Sequence, residues 1–144
     1  MIAVDANILI YAHRKDSAFH EAADRELTRL VEGGRVWAIP WPCLHEFLAI
    51  VTHPGIYHPP TPLADALIQV ECWLESPHLE LIGESGDYWP VLKGLLEKGK
   101  MVGPRVHDAR IAAVCVQNGA KVLWSADRDF SRVEGLEIVN PLVG

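Results

Sequence analysis

Five short apolar runs punctuate this chain, and segments with helical periodicity separate them. The runs are Ile2-Ala3-Val4, Val36–Ile39 closed by Pro40, Leu79–Ile82, Lys121–Trp124 and Leu136–Val139. Strands that alternate with helices predict a parallel sheet covered by helices on both faces, an α/β architecture of three layers. The spacing predicts helical segments over Asn7–His13, from Ser17 as N-cap to Gly33-Gly34, over Pro42–His53, from Thr61-Pro62 to Ser76-Pro77, over Asp87–Lys98, and from Pro104 to Asn118-Gly119. In the third of these, Cys43, Ala49 and Ile50 make the second side apolar as well, which predicts a buried helix. The fourth is expected to turn Leu63, Ala66, Leu67, Val70 and Leu74 inward, and Trp124 is the tryptophan most clearly expected in the core.

At 144 residues the chain suits one domain, residues 1–144, with neither repeat nor linker. No apolar run approaches a bilayer's thickness, and the start reads as a strand rather than a basic-then-apolar leader. Cys43, Cys72 and Cys115 are odd in number and widely spaced, which suggests buried thiols in a reducing, cytoplasmic setting. The net charge of −6 argues against coating nucleic acid by bulk electrostatics. A nucleic-acid substrate would need a divalent cation and local basic groups, with Arg14, Lys15, Arg105, Arg110 and Arg128 as candidates.

The acids carry the functional signal. Asp5 ends the first strand, Glu46 sits on a helix, Asp108 lies in the first turn of another, and Asp127 follows the fourth strand with Asp129 two residues on. Strand ends and the starts of following helices share one rim of a parallel sheet, where ligands collect. Each acid also has a plain structural role open to it: Asp5 as a cap, Glu46 as a solvated helix residue, Asp108 as a dipole partner, Asp127 and Asp129 as turn residues, with Asn7 equally at home in a turn. Their joint placement on one rim is what points to a site. Two carboxylates a few ångströms apart repel by about 3 kcal/mol at an effective dielectric of 20, so a cluster is tolerated mainly when it binds a cation. Oxygen donors alone select Mg²⁺ or Mn²⁺ over zinc. Ala49 breaks the His45-Glu46 start of an H-E-x-x-H zinc helix, and no G-x-G-x-x-G or Walker motif occurs.

Taken together, Ile2-Ala3-Val4-Asp5-Ala6-Asn7, the helical Glu46, the run His107-Asp108-Ala109-Arg110-Ile111-Ala112-Ala113 and Ser125-Ala126-Asp127-Arg128-Asp129-Phe130 resemble the PIN-domain family. Within it the chain resembles the VapC toxins of bacterial toxin–antitoxin pairs, over nearly its whole length. The resemblance implies a PIN-like three-layer α/β/α sandwich with a mainly parallel sheet and a Mg²⁺- or Mn²⁺-dependent endoribonuclease. It implies Asp5, Glu46, Asp108 and Asp127 as the catalytic acids, with Asp5, Asp108 and Asp127 as metal ligands and Asn7, Ser125 and Asp129 in support. It also implies RNA as substrate, a homodimer, and a cognate antitoxin whose tail blocks the site. Two other readings keep the fold: a non-toxin nuclease acting on RNA maturation or DNA flaps, and a catalytically silent binding module. The full set of acids disfavours the silent module.

Overall fold

The computed structural model describes residues 1–143. Its elements run in the order β1 (Ile2–Val4), α1 (Ala6–His13), α2 (His20–Glu32), β2 (Trp37–Pro40), α3 (Trp41–Val51), α4 (Leu63–Leu74), β3 (Leu79–Ile82), α5 (Tyr88–Gly99), α6 (Arg105–Gln117), β4 (Val122–Trp124) and β5 (Glu137–Val139). All four strand pairings are parallel, and the strand order is β3-β2-β1-β4-β5. The chain therefore steps outward from β1 through β2 to β3, then crosses back to place β4 on the other side of β1. Right-handed crossovers in opposite directions put their helices on opposite faces. Accordingly α1 packs with α2 and α3, and α5 packs with α6. The reversal opens a crevice at the carboxyl ends of β1 and β4.

Burial follows position in the sheet. Ala3 and Val4 of β1 and Trp37, Ala38 and Ile39 of β2 are fully buried, as central parallel strands covered on both faces require. The edge strands β3 and β5 keep exposed residues such as Glu80 and Glu137. Helix α6 exposes its first residues, Arg105–His107, and is wrapped further along, burying Ala109 and the run Ile111–Cys115.

Several local expectations are corrected. Helix α3 buries only one side, Cys43, Leu44, Phe47 and Val51, while Trp41, His45, Glu46 and Ala49 are exposed. Helix α4 turns in Ala66 and Trp73, seven residues apart, and Trp73 meets Phe47 edge-on with ring centroids 4.8 Å apart. Leu63, Leu67 and Leu74 are left exposed, because the large indole sets the helix's rotation. Trp124 is only partly covered, whereas Trp37 is fully buried, its Nε1–H donating to Ser76 Oγ at 3.1 Å. Cys43 and Cys115 are buried thiols, but Cys72 is exposed. Neither expected side-chain cap forms. Ser17 Oγ accepts from the Phe19 N–H in the turn before α2, and buried Thr61 pairs its backbone N–H with Val51 and its hydroxyl with His13 and Arg14.

Candidate active site

Asp5 is the residue after β1 and also the N-cap of α1, so one backbone position puts a carboxylate at the crevice. Its own N–H donates to the Trp124 carbonyl of β4 at 2.9 Å, which ties the strand end in place. Its side chain is buried, 5% exposed, and both oxygens accept hydrogen bonds. Oδ1 accepts from the Ala6 N–H at 2.8 Å and from the Cys43 thiol at 3.4 Å. Oδ2 accepts from Ser125 Oγ at 2.8 Å and Asn7 Nδ2 at 3.4 Å. Ser125 Oγ in turn accepts from Asn7 Nδ2 at 3.2 Å and from the Asp127 N–H at 3.2 Å. A hydroxyl offers one proton and two lone pairs, so Ser125 is saturated by this network. Asn7 Oδ1 completes it by accepting the Ala126 N–H at 3.0 Å. Asn7 and Ser125 together lock the loop after β4 onto the residue after β1.

Burial raises the Asp5 carboxyl above its ordinary value. The hydrogen bonds from Ser125, Ala6 and Cys43 oppose that shift, and the charge of Asp127 adds to it. Glu46 is raised too, first by desolvation and then by the charges of Asp5, Asp127 and Asp108, with His107 opposing. Cys43 is pushed up by burial and by the Asp5 charge, so its thiol stays protonated and can donate. Cys115, below the same carboxylate, is pushed up to about 12 for the same two reasons.

A cleft of about 320 Å³ opens above Asp5. Asn7, Glu46, His107, Asp108 and Asp127 line it, so all four expected acids converge, although they come from four separate stretches of the chain. Asp108 is held by the Ser131 N–H, which donates to its Oδ2 at 3.0 Å, and Ser131 Oγ accepts from Arg105 Nε at 3.0 Å. Asp129 is different. It is exposed and does not line the cleft, and only its backbone N–H takes part, donating to Asp127 Oδ1 at 2.9 Å. Among the described residues, no group of three or more His, Cys, Asp or Glu side chains stands close enough together to enclose a metal ion. The donor chemistry nonetheless suits a hard cation, since Mg²⁺ commonly uses one or two carboxylates and keeps several waters.

The basic candidates divide. Arg14 forks onto Asp16 and bonds Thr61 Oγ1, Arg110 pairs with Glu84, and Arg105 holds Ser131. Lys15 and Arg128 are exposed and form no ion pair among the described residues.

Cys43 is the site residue that pattern reading missed. It lies one helical turn before Glu46, on the side of α3 that faces Asp5, and that spacing was the available signal. Cys43→Val removes one of the two donors to Oδ1, and we expect roughly a tenfold loss of catalytic rate at unchanged fold. Cys43→Ser keeps a donor and should stay within about threefold of wild type. Initial rates and thermal melts of the two variants check this, and equal loss in both would assign Cys43 to packing alone.

Comparison with known proteins accords with this geometry. The PIN domain family model matches residues 2–136, and the chain belongs to that family. The chain is 31% identical over 140 residues to Ribonuclease VapC48 of Mycobacterium tuberculosis, covering 97% of each chain. It is 32% identical over 144 residues to Ribonuclease VapC43 of the same organism, covering 100% of this chain and 97% of the relative. Among solved structures, VapBC2 from Rickettsia felis, bound to a DNA fragment from its promoter, superposes with a TM-score of 0.65 at 22% identity, covering 96% of this chain and 98% of that one. Mycobacterium tuberculosis VapC20, a Sarcin-Ricin loop cleaving toxin, gives 0.65 at 18% identity, covering 91% and 93%.

Proposed function

We propose that this chain is a toxin endoribonuclease that hydrolyses RNA phosphodiester bonds in the cleft above β1 and β4. The observation that carries the reading is Asp5. A buried carboxylate held by four donors at the point where strand order reverses, with three more acids facing the same cleft, has no use in packing. Its relatives named as VapC ribonucleases supply the reaction class.

A divalent cation, Mg²⁺ or Mn²⁺, supplies charge neutralisation at the phosphodiester and activation of water when bound. Asp5, Asp108 and Asp127 are the groups that would hold it, one or two directly and the rest through water. The protein's own work is to fix these groups in advance. Ser125, Asn7, Ala6 and Cys43 hold Asp5, and Ser131 holds Asp108. Glu46, its carboxyl raised by desolvation and by the neighbouring acids, is placed to accept the proton of the attacking water. The exposed cations Lys15 and Arg128 are the groups free to meet RNA phosphates.

The protein would act in the cytoplasm, as a homodimer, and be silenced by a cognate antitoxin. An arginine of that partner suits this cleft, since a guanidinium pairs bidentately with carboxylates. No helix among the described residues is long and apolar enough to cross a membrane.

The test is cleavage by purified protein, with RNA ends sequenced after induced expression to locate the target. We expect cuts in single-stranded or loop RNA with Mg²⁺ or Mn²⁺ and none in excess EDTA. Unchanged cleavage in EDTA would remove the cation from the mechanism.

A further inference from the structure

The acids are not the whole lining of the cleft. Ile10, Tyr11, Ile50 and Tyr57 line it beside the carboxylates. Neither a cation nor a phosphate needs an apolar wall, whereas a nucleobase does, because each base has a π-face that stacks on aromatic rings whatever its sequence. The volume lies near the lower end of small-ligand pockets, about 300 Å³, which is room for a nucleotide unit rather than a duplex.

Tyr57 is built to be the stacking surface. The Arg14 guanidinium lies over its ring, 4.3 Å from the centroid. Arg14 is itself fixed, with Nε and Nη2 on the Asp16 carboxylate and Nη1 on Thr61 Oγ1, and its side chain is only 11% exposed. A cation committed in this way braces the ring from behind and is not free to bind phosphate. Arg14 does not line the cleft, whereas Tyr57 does. Tyr57 thus reaches the cleft as a side chain that Arg14 already orders, and an ordered platform binds without the cost of immobilising itself.

We propose that Tyr57, braced by Arg14, is a stacking platform for the nucleobase that adjoins the phosphate facing the acids. The placement of that phosphate rests on the ribonuclease reading, but the base subsite can be tested without cleavage. The probes are adenosine monophosphate and ribose 5-phosphate, titrated into the full chain with Mg²⁺ and followed by NMR. Wild type should bind the nucleotide about tenfold or more tighter than the sugar phosphate. Tyr57→Leu should bring the ratio close to one, and Tyr57→Phe should keep it. A second measurement needs no variant: an intermolecular Overhauser contact between adenine and Tyr57 ring protons in the wild type. Equal affinity for the two probes, no binding of either, a preference that survives Tyr57→Leu, or absence of the ring contact would each overturn the subsite. RNA cleaved by a protein that fails this test would sink the subsite alone. A Tyr57-dependent preference in a protein that cuts no RNA would sink the ribonuclease reading alone.

Discussion

Asp5→Asn should abolish RNA cleavage, lowering the rate by at least about a hundredfold, while Asp129→Asn leaves it within a few-fold of wild type. The two substitutions each neutralise an acid near the same loop, so they separate position from charge. Asn at position 5 keeps an oxygen for the Ala6 N–H and remains a good N-cap, so α1 should still start where it does. What it removes is the buried negative charge facing the cleft. What it adds is an amide N–H pointing at Asn7 Nδ2, a donor opposite a donor, which costs some local order. Asp129 has no such place, since its side chain stands in solvent and its contribution to the loop is a backbone N–H that Asn retains. Rates measured beside thermal melts give the answer. Substantial cleavage by Asp5→Asn in a folded protein would place the chemistry elsewhere.

The contrast between those two acids also marks how far the amino-acid pattern reaches. Asp5 was legible because it directly follows a strand, and in a parallel sheet that position determines the rim it occupies, whereas Ser125 was expected only from the family resemblance. Asn7 was equally at home in a turn by pattern, and it is the start of α1 at Ala6 that brings its side chain to the same rim. Asp129 had a turn role open to it and was expected only in support; its N–H goes to Asp127 and its side chain stands in solvent. Position 46 was found for an incomplete reason: Glu46 was placed on a buried helix, whereas α3 leaves that side open as a wall of the cleft. Periodicity reports that two faces are apolar and is silent on which of them meets a cavity. The same limit explains α4, where Trp73 against Phe47 sets a rotation that a count of leucines does not contain. Arg14 shows it for charge, since composition marks a cation and only the fold reveals that Asp16, Thr61 and Tyr57 already hold it.

The same acids should make the metal-free protein less stable as pH rises, and Glu46→Gln should relieve part of that loss. Asp5 and Glu46 both have folded-state values above their ordinary ones of 3.8 and 4.5. For an acid raised in this way the folded state binds more protons than the unfolded one, so stability falls with pH. The contribution is fully present below the ordinary values and is lost as pH climbs through the raised ones, a window that opens at about pH 4. Asp16, whose carboxyl is held below 3.8 by the hydrogen bond from Arg14, works in the opposite direction but only beneath that window. The groups that face Glu46 are Asp5, Asp127 and Asp108, which repel its charge, and His107, which attracts it. Glutamine keeps the shape and removes the charge. Because Glu46 is exposed, solvent screening reduces the gain, and about 1–3 °C at neutral pH is the expected size. A Mg²⁺ ion held in the cleft as proposed would bind the native state alone, so saturating Mg²⁺ should raise the wild-type melting temperature more than that of the variant. The measurement is a set of melts at pH 4 and pH 7 for both proteins, in EDTA and in excess Mg²⁺. In EDTA the two should melt together at pH 4 and diverge at pH 7, with the variant higher. A variant that melts below wild type at pH 7 would mean that Glu46 is not repelled by the other acids. The cleft would then lack the crowding of charge that gives it a reason to bind a cation.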